Sequence, residues 1–171
     1  FPTRRSSDLV GNGKVLREGI FDNIWIQPAA GDAGGALGAA LFVWHQVLNQ
    51  PRLADGEKDS QSGSYLGPAY SSDDIEQWVS SRGVPYHRFS EREVLDVTAR
   101  QLADGKVVGW FAGKMEFGPR ALGARSILGD PRNRDMQRQM NLKIKYRESF
   151  RPFAPACLRE DVSEFFEMNC E

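Results

Sequence analysis

The sequence has 171 residues, of which 40% are hydrophobic and 26% charged, and its net charge is −1. That length allows one ordinary domain or parts of two, and the composition is that of a globular chain in water. Two classes are excluded. Cys157 and Cys170 are the only cysteines and form no C-x-x-C pair, so there is no disulfide framework. The longest apolar run, Ala36–Val43, is broken by Gly38 and falls far short of the ~20 residues that cross a bilayer. A reducing cytoplasm is the expected location. His45 and His87 are too far apart in the sequence to build a metal site by themselves.

The small net charge hides an asymmetry. Residues 106–159 carry 12 Lys/Arg against 4 Asp/Glu, a balance of +8, and the rest of the chain carries −9. A basic block of this kind expects a polyanionic partner, either the phosphates of a small molecule or a nucleic acid. Phe1–Leu9 (FPTRRSSDL) is what a widely used sequencing adapter encodes when translated. These nine residues are expected to be an assembly scar and are set aside from the fold. On that reading the native start lies elsewhere, and the stop at Glu171 reads as a second cut.

In chain order, Ile24–Gln27 predicts a short buried strand, because it is apolar, β-branched and bounded by Asn23 and Pro28. The turn PAAGDAGG and an apolar helix over Ala36–Leu48 follow. Gly38 costs that helix ~1 kcal/mol relative to Ala. Pro51–Pro68 is polar and turn-rich and reads as a linker. Ser71–Arg82 places Ile75, Trp78 and Val79 at helical spacing and closes on Gly83. Ser90-x-x-Glu93 is a capping box. It opens a helix with Val94, Leu95, Ala99 and Leu102 expected inward and Gly105 at its end. Val107–Phe111 predicts a buried strand and Ser126–Leu128 a shorter one. Met136, Met140 and Ile144 recur every four residues, which predicts a helix over Asp135–Ile144. Phe153–Leu158 predicts a strand and Asp161–Met168 an amphipathic helix. Strands alternating with helices give an α/β (α+β) class.

Three motifs carry chemistry. GDAGGALGAAL puts Gly31, Asp32, Gly34 and Gly35 at a strand-to-helix turn, where glycines admit a phosphate to the backbone and the helix start supplies N–H donors. A carboxylate there repels a bare phosphate, so Asp32 suits a metal or a ribose hydroxyl. The plainer alternative is that Asp32 caps the helix. EFGPRALGARS expects a helical turn opened by Pro119, with Arg120 and Arg125 on neighbouring faces and Ser126 offering a hydroxyl. The plainer alternative pairs Arg120 with Glu116. In NLKIKYRESFRPFAP, an extended Lys145-Tyr146-Arg147 would direct Lys145 and Arg147 to one face, with Arg151 nearby. The alternative is a solvated basic helix face. The aromatics Trp110, Phe111, Phe117, Tyr146, Phe150 and Phe153 could stack a base, although Trp110 and Phe111 are expected to supply core, and Cys157 inert packing.

GWFAGKMEFGPRALGARSILGDPR followed by MNLKIKYRESFRPFAPACL closely resembles the O-carbamoyltransferases of nodulation-factor and antibiotic biosynthesis (the NodU/CmcH type). IQPAAGDAGGALGAAL resembles the last strand, nucleotide loop and helix of that family's first domain. The resemblance implies a domain plan. Residues 10–50 would end an actin-like ATPase (Kae1-like) domain as a strand–loop–helix remnant, 51–68 would be a linker, and 69–171 would begin a truncated YrdC-like domain. It also implies the chemistry. ATP and carbamoyl phosphate would give carbamoyl-adenylate in the YrdC-like part, and the carbamoyl group would pass to a hydroxyl of a small-molecule or sugar acceptor beside iron or another divalent metal. Asp32 matches the family's metal ligand, and Gly31, Gly34 and Gly35 match the adenylate loop. Lys145 and Arg147 match the phosphate-binding K-x-R pair. Arg120 joins them as a catalytic candidate, and Lys114, Arg125, Ser126 and Arg151 are candidates for binding the ATP and carbamoyl phosphate anions.

The resemblance places the two partner histidines of Asp32, and a Ser/Asn segment completing the basic site, outside this sequence. A fragment without them is expected to be inactive alone. Two other readings compete: a non-catalytic nucleic-acid module built on the 106–159 block, and a YrdC-like synthase of threonylcarbamoyl-adenylate. The Kae1-like remnant and the GPRALG stretch count against the latter; no membrane partner is expected, and a nucleic-acid partner is the less favoured reading. Acceptor and oligomeric state are not legible in the sequence.

Overall fold

A computed structural model describes residues 9–22 and 24–167. The adapter-like segment therefore lies outside the described residues except for Leu9. The elements are α1 (Leu9–Glu18), α2 (Asp32–Phe42), α3 (Ser72–Ser81), α4 (Glu91–Ala103), β1 (Val108–Phe111), β2 (Arg125–Leu128), α5 (Met136–Gln139) and α6 (Val162–Phe165). Single π turns, Val43–Val47 and Met140–Ile144, extend α2 and α5. β1 and β2 pair as a two-stranded antiparallel sheet. The class is mixed helix and sheet, in keeping with the α/β expectation.

Local chemistry sets the helix ends. In α3 the Ser71 hydroxyl accepts from the Asp74 amide and the Asp74 carboxylate accepts from the Ser71 amide. Ser90 and Glu93 repeat that reciprocal box at α4. Each box satisfies two N–H groups that a helix start leaves without partners. Both helices stop on a left-handed glycine, Gly83 (φ 63°) and Gly105 (φ 77°). Just beyond each, Val84 N–H returns to the Val79 carbonyl and Lys106 N–H to that of Gln101.

Several expected elements differ. Ile24–Gln27 and Phe153–Leu158 are extended segments without strand assignment. A strand exists only through a ladder to a neighbour, and among the described residues neither segment has one. Phe111 is half exposed and Trp110 half-buried, so β1 is no buried core strand. Leu95 and Ala99 of α4 face solvent, and so do Ile75 and Trp78 of α3, because amphipathic spacing marks a face without supplying something to cover it. Cys157 is exposed and unpaired. The predicted last helix shortens to a 3-10 turn, Arg159–Asp161, followed by α6, and Met168 lies outside the described residues.

The chain divides into two compact units. Among the described residues, one comprises 9–86 with Trp110–Ser126, the other His87–Gly109 with 127–167. In the first, Ala124, Ser64 and Glu116 are buried. In the second, Met136 and Met140 sit over Gly129, where a Cβ would meet both sulfurs, and Asn141 is fully buried. Ser90→Ala removes one half of the α4 box and is expected to lower stability by about 1 kcal/mol. Urea unfolding followed by far-UV circular dichroism measures it, and an unchanged midpoint would show that the box is not formed in solution.

Candidate anion-binding site

The first unit is built around one carboxylate. Glu116 has no exposed side-chain surface. Its Oε1 accepts from the amides of Leu122 (2.7 Å), Ala124 (2.8 Å) and Arg125 (3.2 Å), and its Oε2 accepts from Arg125 Nε at 2.8 Å. The Arg125 guanidinium also donates to the carbonyls of Glu116 and Gly118. Burial works to raise the Glu116 pKa. The Arg125 guanidinium and the Leu122 and Ala124 amides outweigh it and hold the carboxyl well below the usual carboxylate range. A buried charge survives only with such partners. The result is a closed loop, residues 117–124, whose ends are fixed to one side chain.

That loop is a series of bends, with no helical turn after Pro119. The expected arrangement of Arg120 and Arg125 therefore does not form. Arg125 lies in β2 and folds inward onto Glu116, while Arg120 stays exposed and makes no ion pair among the described residues. Arg120 is thus not the partner of Glu116. Lys114 is likewise exposed, and Ser126 is half-buried in β2.

Two distant segments pack on the loop. Gly118 has φ +97°, and a Cβ on it would lie 2.6 Å from the Ala29 Cβ. Ala29 belongs to the turn before α2, where Gly34 N–H donates to the Ala29 carbonyl and no Cβ would fit at Gly34. The turn carrying Gly31, Asp32, Gly34 and Gly35 is therefore brought against the GPRALG loop. Gly31 is the N-cap of α2 and there is no side-chain cap, so Asp32 does not act as one. It is exposed, and no group of three or more metal-ligating side chains forms around it among the described residues. Asp32 alone does not make a metal site. The second segment is Ser64–Pro68, part of the predicted linker. Phe117 N–H donates to the Ser64 carbonyl, Gly67 N–H to Met115, and Met115 N–H to Pro68. A shallow, open cleft of about 360 Å³ lies beside the loop, lined by Tyr65, Ala112, Gly113, Lys114, Gly123 and Ala124.

The second unit holds Lys145, Arg147 and Arg151, organised by an amide. Asn141 Nδ2 donates to the carbonyls of Ser149 (3.0 Å) and Arg151 (2.8 Å), and its Oδ1 accepts from Arg147 Nε at 2.6 Å. The Arg147 guanidinium lies 4.8 Å over the Phe153 ring. Lys145-Tyr146-Arg147 is not extended. Lys145 caps the π turn in a helical conformation, Tyr146 takes φ +48°, and Arg147 N–H returns to the Asn141 carbonyl. The chain reverses there, so the period-two argument fails. Lys145 is exposed, and Arg151 pairs with Glu148 at 2.7 Å. Tyr65 and Asn141 escaped the sequence reading, and Glu116 entered it only as a partner for Arg120. The available signal was Glu116 itself, an acid amid Gly, Pro and apolar residues, where a carboxylate needs donors.

A buried carboxylate thus shapes a loop on which Arg120 stays exposed without an ion pair among the described residues, with Lys114 lining the depression beside it. Comparison with known families places the chain further. Residues 99–171 match the carbamoyltransferase C-terminus and residues 6–41 the carbamoyltransferase N-terminus. The chain belongs to the carbamoyltransferase family. It is 58% identical to an uncharacterized protein of Synechocystis sp. over 95% of this chain and 26% of that protein. It is 44% identical to nodulation protein NolO of Bradyrhizobium diazoefficiens over 92% of this chain and 28% of that protein. With nodulation protein NolNO of Sinorhizobium fredii it shares 47% identity over 92% of this chain and 22% of that protein. The chain thus spans about a quarter of the length of these curated relatives.

Two predictions follow from this geometry. Because the Glu116 pKa is lowered by folding, its contribution is complete above the ordinary carboxylate pKa of about 4.3 and drains away as pH falls toward the folded-state value. Glu116→Gln should cost roughly 2–4 kcal/mol at pH 7, and the gap to wild type should narrow by pH 3 in urea titrations. A gap independent of pH would remove the ionised carboxylate as its source. Gly118→Ala meets both a positive φ and the Ala29 contact, and should cost about 1–3 kcal/mol. Thermal unfolding of Gly118→Ala beside Gly109→Ala, where a Cβ meets nothing, separates this contact from a general loss of glycine.

Proposed function

We propose that this chain contributes the phosphate-handling part of an ATP-dependent O-carbamoyltransferase. Carbamoyl phosphate and ATP bind at its basic loops; water releases phosphate from carbamoyl phosphate to give carbamate, whose oxygen attacks the α-phosphate of ATP to form carbamoyl-adenylate and pyrophosphate. An acceptor hydroxyl then attacks the carbamoyl carbon, giving up its proton, with AMP as leaving group. The observation that carries this reading is the Glu116-clamped loop, which holds Arg120 exposed and Lys114 at the cleft. Cations carried on a loop whose backbone is already held can stabilise charge on a transferring or departing phosphate. Family membership supplies the carbamoyl group as cargo.

On this reading Lys145 and Arg147 bind nucleotide phosphates, and Asn141 and Phe153 hold the Arg147 guanidinium in place for them. Gly31, Gly34 and Gly35 form the nucleotide turn. Asp32 is one carboxylate toward iron or another divalent metal whose remaining ligands come from outside the described residues, and no step is derived through it. A YrdC-like nature for the C-terminal part, a Kae1-like one for the N-terminal part, a cytoplasmic setting and the hydroxyl-bearing acceptor belong to the same proposal.

Binding of carbamoyl phosphate and of ATP to this chain, followed by 31P NMR titration, tests it. Arg120→Ala should weaken carbamoyl phosphate binding roughly 10- to 100-fold, the size of a lost charge-assisted hydrogen bond. Arg120→Lys should recover only part, because it keeps the charge and loses the planar fork. No binding by the wild-type chain, or equal affinity in Arg120→Ala, would overturn the assignment.

A further inference from the structure

The segment Gln61–Pro68 has a linker's composition but not a linker's structure. Three consecutive residues, Ser62 (φ 49°), Gly63 (φ 63°) and Ser64 (φ 71°), take left-handed backbone. Two of them are not glycine, so the conformation is costly and is held by its surroundings. Ser64 is almost fully buried, and its carbonyl accepts from Phe117 N–H. Gly67 lies so close to Met115 that a Cβ would fall 2.8 Å from Met115 Cβ and from its carbonyl oxygen. A solvated tether needs none of this. The strain and the close contacts converge on Tyr65, whose phenol donates to the Leu122 carbonyl 57 residues away and whose side chain lines the cleft with Lys114, Gly113 and Gly123.

We infer that Tyr65 is a positioning residue of the anion cleft: its ring forms the wall beside Lys114, and its hydroxyl fixes the loop that carries Arg120 through the Leu122 carbonyl. The ligand class is a small phosphorylated anion. This rests on the reading of the cleft given under Proposed function, and it adds a residue that lies outside both family-matched segments, 6–41 and 99–171. The arrangement has a clear logic. Glu116 holds Leu122 by its amide and Tyr65 holds it by its carbonyl. Leu122 is therefore fixed from both sides, two residues after Arg120. Release of the carbonyl would free one side and blur the position of Arg120, and a displacement of about 1 Å is enough to matter in such sites.

The test places 3-fluorotyrosine at position 65 and titrates carbamoyl phosphate, with inorganic phosphate as a second probe, while binding is read independently from 31P signals. The 19F resonance should shift saturably with the same Kd as the 31P signals. Tyr65→Phe keeps the ring and loses only the hydroxyl. It should raise that Kd about 3- to 10-fold, the worth of one hydrogen bond, with its melting temperature near that of wild type. Should Tyr65→Ala fail to fold, these two measurements still decide. If the wild-type chain binds carbamoyl phosphate but the 19F resonance stays fixed and Tyr65→Phe binds equally well, Tyr65 is merely structural and the inference falls while the cleft stands. If the wild-type chain binds neither probe, the cleft reading fails and takes this one with it.

Discussion

A single buried carboxylate organises the loop on which the candidate site of this chain is built. Glu116 has no route to stability except full satisfaction, because an unpartnered ionised group away from water costs several kcal/mol. Its partners are two side-chain and backbone groups of Arg125 and the amides of Leu122 and Ala124. Those donors can converge only if residues 117–124 close into a loop. The conformation of that loop therefore follows from the electrostatics of one side chain rather than from helix or strand propensity. Arg120 is left exposed by default: the carboxylate already has its guanidinium.

The same economy explains why segments far apart in sequence meet there. A loop made of bends has backbone groups that no ladder satisfies. Ser64 takes the Phe117 amide, Gly67 and Pro68 exchange hydrogen bonds with Met115, and Tyr65 takes the Leu122 carbonyl. Gly118 leaves room for Ala29, which seats the glycine-rich turn before α2. The candidate nucleotide turn and the candidate phosphate loop are thus one assembly within the first unit. Its sparse apolar burial, chiefly Ala124, is consistent with polar contacts setting this geometry.

The capping box at Ser90, the glycines closing α3 and α4, the strands expected over 107–111 and 126–128 and found over 108–111 and 125–128, and the methionine spacing of α5 were legible, because each is decided by residues within a few positions of one another. Ile24–Gln27 and Phe153–Leu158 misled, since a strand pattern states what a segment could pair with and not whether a neighbour is there. The basic block pointed to anions, but which cations stay free was not legible. Glu116 sits four residues from Arg120 and nine from Arg125, and sequence distance favoured the nearer one. The longer reach wins because a bend-rich loop turns Arg125 back over Glu116 while the amides of the same loop fill Oε1. For Lys145-Tyr146-Arg147, the π turn ending at Ile144 and the left-handed Tyr146 override the period-two pattern. Tyr65 was hidden by composition, since a Gly/Ser-rich stretch reads as a tether unless its contacts are seen.

The two units solve the same problem with different chemistry. In the first, a carboxylate does the organising, so one arginine is neutralised and the positive charge left exposed comes from Lys114 and Arg120. In the second, a neutral amide does it: Asn141 orients Arg147 through its oxygen and holds the Ser149 and Arg151 carbonyls through its nitrogen, without cancelling any charge. A carboxylate at position 141 would bind Arg147 more strongly in place but would offset its charge, and it could not donate to the two carbonyls. An amide at position 116 would present a donor group to Arg125 and lose half its acceptor capacity. Each residue is therefore matched to what surrounds it: four donors around position 116 call for an anion, and two acceptors with one guanidinium around position 141 call for an amide.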